Sequence, residues 1–386
     1  MKIYNETLLY NQYAQNTVKR FQKAGLLDGG QAAEIQKGHT DVPYNPNFFI
    51  KILLFLFGCL GFGFGSSFTA LLLMGESFGG FAVVSALYGA GILFALRFFI
   101  RERKLHFSGL DNALLYCILG SLMPLIYQIY DALSIQQVWV GALLFLPFLV
   151  AAAYSFGEPV VALGAFLTAL YIVVDILMKN PLGKALLPFA LMGCSGLTYG
   201  IIRPLLKKEA SFYWAMALEW VSLAALVLFY AAGNYFVVRE ANAALNGLPS
   251  PAPEISFAPV FWAFTFLTPL VFLFTGVRWR NRTLLTLGVI AFTCSILTVR
   301  YYHSVLPPEW AMLAGGLVVA AVVYGILQQL KTPKYGFCAT LDEADDHTLR
   351  IETVVLSQIT ANIQANDQGL QFGGGDFGGG GAGEKY

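Results

Sequence analysis

Ten long apolar runs, separated by short polar connections, occupy residues 47–330 of the chain. Each run is close to the ~20 residues that an α-helix needs to cross the hydrocarbon core of a bilayer. The pattern therefore predicts an all-α fold, a polytopic helical membrane bundle of about ten transmembrane helices. The predicted spans cover residues 48–73, 78–100, 110–130, 136–155, 158–178, 185–204, 212–236, 258–276, 282–300 and 309–330.

Two connections in this region are distinctive. The fourth and fifth runs are parted only by Gly157, Glu158 and Pro159, which is compatible with a tight hairpin or with one re-entrant unit. The connection 237–257 contains the proline-rich stretch 248–253, and proline favours extended, irregular structure there. We expect this connection to be irregular and too short to form a domain.

Polar segments flank the apolar region and complete the predicted domain plan. Residues 1–46 indicate a cytosolic helical segment, in which Asp28 and Gln31 form a capping-box pattern for a second short helix ending near Lys37. A segment of this size cannot bury its own core, so it must pack on the membrane domain 47–330, on a second copy, or on a partner. The predicted C-terminal parts are an acidic, amphipathic cytosolic segment, 331–370, and a Gly-rich tail, 371–386, disordered when alone.

Composition and charge agree with a membrane protein and add an orientation. Hydrophobic residues make up 57% of the chain and charged residues 12%, about half the charged share of a soluble domain. Twenty of the 24 Lys and Arg residues fall on one side of the alternating connections. The positive-inside rule then places both termini in the cytoplasm. The net charge of +1 indicates no affinity for nucleic acid.

Few ionisable residues fall within the spans, where they are costly and mark candidate sites. Glu219 lies about 10 Å into the seventh span and is the first candidate, either as a carboxylate facing an internal cavity or as a hydrogen-bonded structural group. Asp175 lies four residues before Lys179, a spacing that also suits an ordinary interfacial ion pair. Asp111 and Glu158 begin spans, where carboxylates favour the helix N-terminus.

Two aromatic clusters are further binding candidates. The run Arg300-Tyr301-Tyr302-His303 ends the ninth span on the predicted outer side, where it serves either binding or interfacial anchoring. In the tail, Phe372, Phe377 and Tyr386 are isolated aromatics among glycines, which indicates either a docking peptide for another protein or a simple spacer. The cysteine and histidine spacings match no metal or disulfide motif, and no cofactor is expected.

Two resemblances carry some of these expectations. The stretch from Arg20 to Ile35, RFQKAGLLDGGQAAEI, resembles the cytosolic start of a family of bacterial predicted integral membrane proteins with an N-terminal domain of unknown function. The ending Arg300-Tyr301-Tyr302 of a late span, followed by a Gly-rich last span, also looks like that family. The resemblance implies a place in the inner membrane of a bacterium and no known activity. The tail from Phe372 onward resembles the end of TPM-domain membrane proteins, although Tyr386 stands where Trp is usual, and this implies a shared partner.

The sequence favours one of two function classes. A non-catalytic scaffold or sensor that recruits partners through its cytosolic ends fits the scarcity of polar groups in the spans. The alternative is a transporter or channel for a small solute or lipid, with Glu219 as a membrane-embedded carboxylate. Besides the lipid bilayer, a protein partner at the tail and a homo-oligomer remain open. No catalytic set is visible, which disfavours an intramembrane enzyme.

Overall fold

A computed structural model of the protein describes residues 2–303, except residues 24, 74–77, 135–136, 250–251 and 280, and ten scattered positions from 310 to 328. More than half of the predicted tenth span and all of the chain after residue 328 lie outside the described residues. The tail residues Phe372, Phe377 and Tyr386 are therefore not described. In the part that is described, the fold is all-α, as the sequence predicts.

Thirteen helices and one 3₁₀ turn, Glu209–Trp214, form the described part. The helices are α1 Glu6–Lys23, α2 Gly29–Lys37, α3 Phe48–Leu73, α4 Phe78–Arg103, α5 Leu110–Ser121, α6 Met123–Ala132, α7 Val138–Phe156, α8 Pro159–Met178, α9 Pro181–Leu206, α10 Ala215–Gly233, α11 Tyr235–Asn246, α12 Ala258–Arg278 and α13 Arg282–Tyr302. Nine segments of the described residues are long and apolar enough to cross a membrane, with α5 and α6 acting as one segment.

These nine segments pack mainly as neighbours in chain order, with α7 on α8, α9 on α10 and α12 on α13. We call the end of the bundle that contacts the chain start the N-terminal face, and the end that carries α11 the opposite face. Nine crossings take the chain from the N-terminal face at α3 to the opposite face at the end of α13. This alternation agrees with the order of spans that the sequence predicts up to residue 303.

The connection between α7 and α8 is a tight turn between two packed helices, each long and apolar enough to cross a membrane. Gly157 ends α7 with φ of 62°, a left-handed conformation that favours glycine, and a Cβ there would lie 2.7 Å from the Tyr213 carbonyl oxygen. Glu158 then caps α8 by accepting a 2.6 Å hydrogen bond from the Val161 amide, and Pro159 occupies the first turn.

The connection 237–257 was predicted to be irregular, and this prediction is wrong for its first half. Residues Tyr235–Asn246 form α11, whose N-terminus is capped by the Asn234 side chain and whose buried face includes Tyr235 and Val238. The prolines that suggested irregular structure begin only at residue 249. The Ala- and Val-containing sequence before them is free to form a helix that lies on the bundle.

The N-terminal segment contains the two helices that its pattern predicts. Asp28 accepts a 2.7 Å hydrogen bond from the Gln31 amide, and the Gln31 side chain accepts one from the Asp28 amide, so the capping box is present. Helices α1 and α2 contact each other. The chain start ahead of α1 packs on the membrane helices.

Candidate functional site

The residues of the N-terminal face converge on a buried carboxylate. Asp111, 1% exposed, accepts hydrogen bonds from the Tyr4 hydroxyl at 2.7 Å and from the amides of Phe107 and Ser108 at 2.8 Å. The Ser108 hydroxyl donates a fourth bond at 2.9 Å. Gly109 makes the turn between these donors and α5, with φ of 96° and no space for a Cβ against the Lys51 carbonyl.

The backbone of the chain start is bound at two further points. The Tyr213 hydroxyl accepts hydrogen bonds from the amides of Ile3 at 3.3 Å and Tyr4 at 3.4 Å, and it donates to the Ser155 carbonyl. The Ile3 amide also donates to that carbonyl at 3.0 Å. Residues 3 and 4 are thus bonded to groups in the first turn of α5, at the end of α7 and in the turn before α10. We call this set, Ile3, Tyr4, Asp111, Ser155 and Tyr213, the Tyr4 cluster.

Burial keeps the Tyr4 cluster in its hydrogen-bonded form. Burial, and after it the neighbouring Asp111 carboxylate, raises the pKa of Tyr4 well above its ordinary value. The phenol therefore retains the proton that it donates to Asp111 at any physiological pH. Close by, Glu158, 2% exposed, accepts bonds from the Tyr116 hydroxyl at 2.6 Å and the Asn112 amide at 3.3 Å. Burial raises the pKa of Glu158.

His106 packs against this cluster and gives it a pH dependence. Its ring lies edge-on to Tyr4 at 5.0 Å and against Phe107 at 4.3 Å, and burial lowers the pKa of His106 to about 4. In the unfolded chain a histidine takes up a proton near pH 6.5, whereas in the folded protein His106 takes it up only near pH 4. The folded state is therefore fully stable above pH 6.5 and loses stability as pH falls toward 4. We expect the free energy of unfolding to fall by about 2 kcal/mol between pH 7 and pH 5 through this residue.

The prediction is checked by measuring the unfolding midpoint of the detergent-solubilised protein as a function of pH. His106→Phe keeps a ring of similar shape and should flatten the slope between pH 7 and pH 5. Phe107→Leu, which changes the ring packed against His106 and keeps the imidazole, is the control and should retain the slope. An equal slope in wild type and His106→Phe would contradict the assignment.

The predicted run Arg300–His303 lies at the opposite face, and its four residues are distributed over two cavities. Tyr301, Tyr302 and His303 line a cavity of about 550 Å³ together with residues from α11 and α12. Arg300 instead lines a separate apolar groove of about 660 Å³ between α10 and α13, to which Tyr301 also contributes. Three of the four predicted residues therefore share one cavity.

The remaining walls of the opposite-face cavity come from residues that the sequence did not single out. Tyr235 stacks on Trp262 with ring centroids 4.6 Å apart. The Arg239 guanidinium lies 4.5 Å from the centre of the Tyr302 ring and donates to the Tyr235 hydroxyl at 3.0 Å. Arg239 also donates to the Ala252 carbonyl, which fixes the position of its guanidinium. Aromatic rings around a fixed guanidinium provide a polar, aromatic-walled site at the membrane interface.

Glu219 and Asp175, the other two predicted candidates, do not meet. Helices α8 and α10 both start at the N-terminal face, with Glu219 in the second turn of α10 and Asp175 near the end of α8. At ~1.5 Å per residue, the two carboxylates lie about 18 Å apart along the bundle. Asp175 forms the predicted ion pair with Lys179, at 3.5 Å. Glu219 is partly buried, and its carboxyl has no hydrogen bond or ion pair to any residue that the structure describes.

Comparison with known proteins adds no family. No protein-family model matches this chain, and no curated protein or solved structure is significantly similar to it. Both resemblances noted from the sequence therefore remain hypotheses. Across the described residues, no group of three or more His, Cys, Asp or Glu side chains is arranged to hold a metal ion.

Proposed function

We propose that this chain is a non-catalytic membrane scaffold or sensor that recruits partner proteins through its cytosolic ends. The observation that supports this best is the Tyr4 cluster. Through it, the first residues of the N-terminal segment are bonded to connections contributed by several membrane helices. A segment held in this way changes position when those helices shift, and a shift in the segment is transmitted back to them.

The proposal includes an orientation. The N-terminal face would lie in the cytoplasm of a bacterium, because the basic connections cluster on that side of the chain. The opposite-face cavity, with Tyr235, Arg239 and Trp262, would then face outward. In a sensor, this cavity is the natural place for an external ligand, and the Tyr4 cluster is the place where the response reaches the cytosolic segment.

The C-terminal tail tests the recruiting role. Spaced aromatics on a glycine backbone can dock into a narrow groove or add to a sheet edge, with modest affinity because ordering costs roughly 1–2 kcal/mol per residue. Residues 366–386, used as bait, should capture a specific partner. Changing both Phe372 and Phe377 to Ser should lower the capture at least tenfold, as measured by quantitative mass spectrometry.

A scrambled Gly-rich peptide of equal composition is the control for this capture. It should recover none of the specific partner, because the spacing of the aromatic anchors is lost. If the scrambled and native tails capture the same proteins in equal amounts, the tail is a spacer. Recruitment of partners through the C-terminal end would then be excluded.

A second candidate function, transport of a small solute or lipid, is favoured by one region of α10. The Glu219 carboxyl and the neighbouring Trp220 indole nitrogen both lack a hydrogen-bond partner among the described residues. Polar groups left in this state within a span are where water or an ion commonly binds. If transport occurs, Glu219→Gln should reduce flux into proteoliposomes far more than it changes the unfolding midpoint, whereas a scaffold should show no flux at all.

A further inference from the structure

A cavity of about 450 Å³ lies beside the Tyr4 cluster, between the N-terminal segment and the last turns of α4. Among the described residues, four cationic side chains line it, against a single carboxylate, Asp41. The four cations are Lys2, Arg97, Arg101 and Lys104. The cavity thus carries a strong excess of positive charge at the level where a membrane helix leaves the bilayer.

The cations of this cavity differ in how they are neutralised. Lys104 pairs with Asp41, and Lys2 pairs with Glu6 at 2.6 Å. Neither Arg97 nor Arg101 forms an ion pair with any described residue. A guanidinium presents a fork of donors that matches the oxygens of a phosphate, so two arginines one turn apart on a helix suit a phosphate group.

The surface of α4 below the cavity points to the source of that phosphate. Phe94 and Phe98 are 78% and 58% exposed, and each lies three residues before one of the two arginines. Residues three apart share a helix face, so each exposed ring lies beneath a guanidinium. The cavity floor is also apolar, since Ile100 and Leu105 line it. Acyl chains lying along the Phe rings would therefore bring a headgroup phosphate to Arg97 and Arg101.

We propose that this cavity binds the phosphate of an anionic phospholipid, with Arg97 and Arg101 as its principal ligands and with the acyl chains along α4. The chain start forms one wall of the cavity through Lys2 and Tyr4. A bound lipid would thus stabilise the N-terminal segment on the bundle. This inference does not depend on the proposed function, because a scaffold and a transporter could both carry such a site.

The test uses the purified full-length protein and native mass spectrometry. The protein is titrated with phosphatidylglycerol or with phosphatidylcholine of the same acyl chains. Wild type should bind one phosphatidylglycerol at least tenfold more tightly than phosphatidylcholine. The double variant Arg97→Gln/Arg101→Gln should lose this preference. The matched control, Lys207→Gln/Lys208→Gln, removes two exposed cations of the same face outside the cavity and should retain it.

Three results would overturn the proposal. An equal loss of preference in the double variant and in its control would indicate diffuse interfacial charge. Full preference in a folded Arg97→Gln/Arg101→Gln variant would exclude the two arginines as ligands. Displacement of phosphatidylglycerol by glycerol 3-phosphate at equal concentration would identify the site as one for free phosphorylated solutes. We expect no displacement, because the soluble molecule lacks the contacts along α4.

Discussion

Replacing Asp111 with alanine should lower the free energy of unfolding by about 4 kcal/mol. The change removes the acceptor of four hydrogen bonds in a position that is 1% exposed. The amides of Phe107 and Ser108 and the hydroxyl of Tyr4 would remain buried without that acceptor. Each such group costs about 1–3 kcal/mol, partly relieved by local rearrangement.

The same substitution should release the chain start from the bundle. Trypsin cleavage at Lys19, Arg20 and Lys23 should become at least tenfold faster, because α1 loses the anchor that Tyr4 provides. Asp131→Ala, which removes an exposed carboxylate at the end of α6, is the control for both measurements. Asp111→Ala with wild-type stability and wild-type cleavage would show that the Tyr4 cluster does not hold the segment.

The second large effect is expected at Asn234, which connects the membrane helices to the opposite-face cavity. Its side-chain amide donates to the Tyr230 hydroxyl at 2.8 Å and to Thr298 at 3.2 Å, which joins α10 to α13. Its side-chain oxygen accepts hydrogen bonds from the backbone amides of Phe236 and Val237 and so caps α11. Asn234→Ala should cost about 3 kcal/mol, because it removes a cap and a buried polar connection together.

The loss at Asn234 should also disturb the cavity, since α11 positions Tyr235 and Arg239. Hydrogen exchange of the α11 amides should be about a hundredfold faster in Asn234→Ala. Asn246→Ala, an exposed asparagine at the end of the same helix, should change exchange by less than threefold. If both variants exchange alike, the cap does not hold α11.

The parts of the fold that the sequence predicted depend on local patterns. The spans follow from apolar runs, and the α2 capping box follows from Asp28 and Gln31. The three-residue connection at Gly157 left a tight hairpin as one of two alternatives. In each case the deciding residues are close together in the chain. The prediction of irregular structure over 237–257 was wrong for its first half, because the late prolines were given more weight than the helix-forming residues that precede them.

The candidate sites depend on contacts between distant residues, and sequence reasoning found less of them. Tyr4 and Asp111 are 107 residues apart, and no periodicity links a tyrosine at the chain start with a helix-initial carboxylate. The sequence treated Asp111 as an ordinary N-terminal helix carboxylate, which describes its bonds to the backbone and misses its bond to Tyr4. At the opposite face, Arg239 was visible as one of four cations outside the basic side, and that exception could have indicated the cavity.

The central claim is that the N-terminal segment is held on the membrane bundle through the Tyr4 cluster. Spin labels are placed at Glu34 on α2 and at Lys207 after α9, both exposed, in a protein whose native cysteines are replaced. In lipid nanodiscs, the two labels report the distance between the N-terminal segment and the membrane bundle. Double electron–electron resonance should give a single narrow distance distribution in the wild-type background and a broad one in Asp111→Ala. A broad distribution in the wild-type background would contradict the claim.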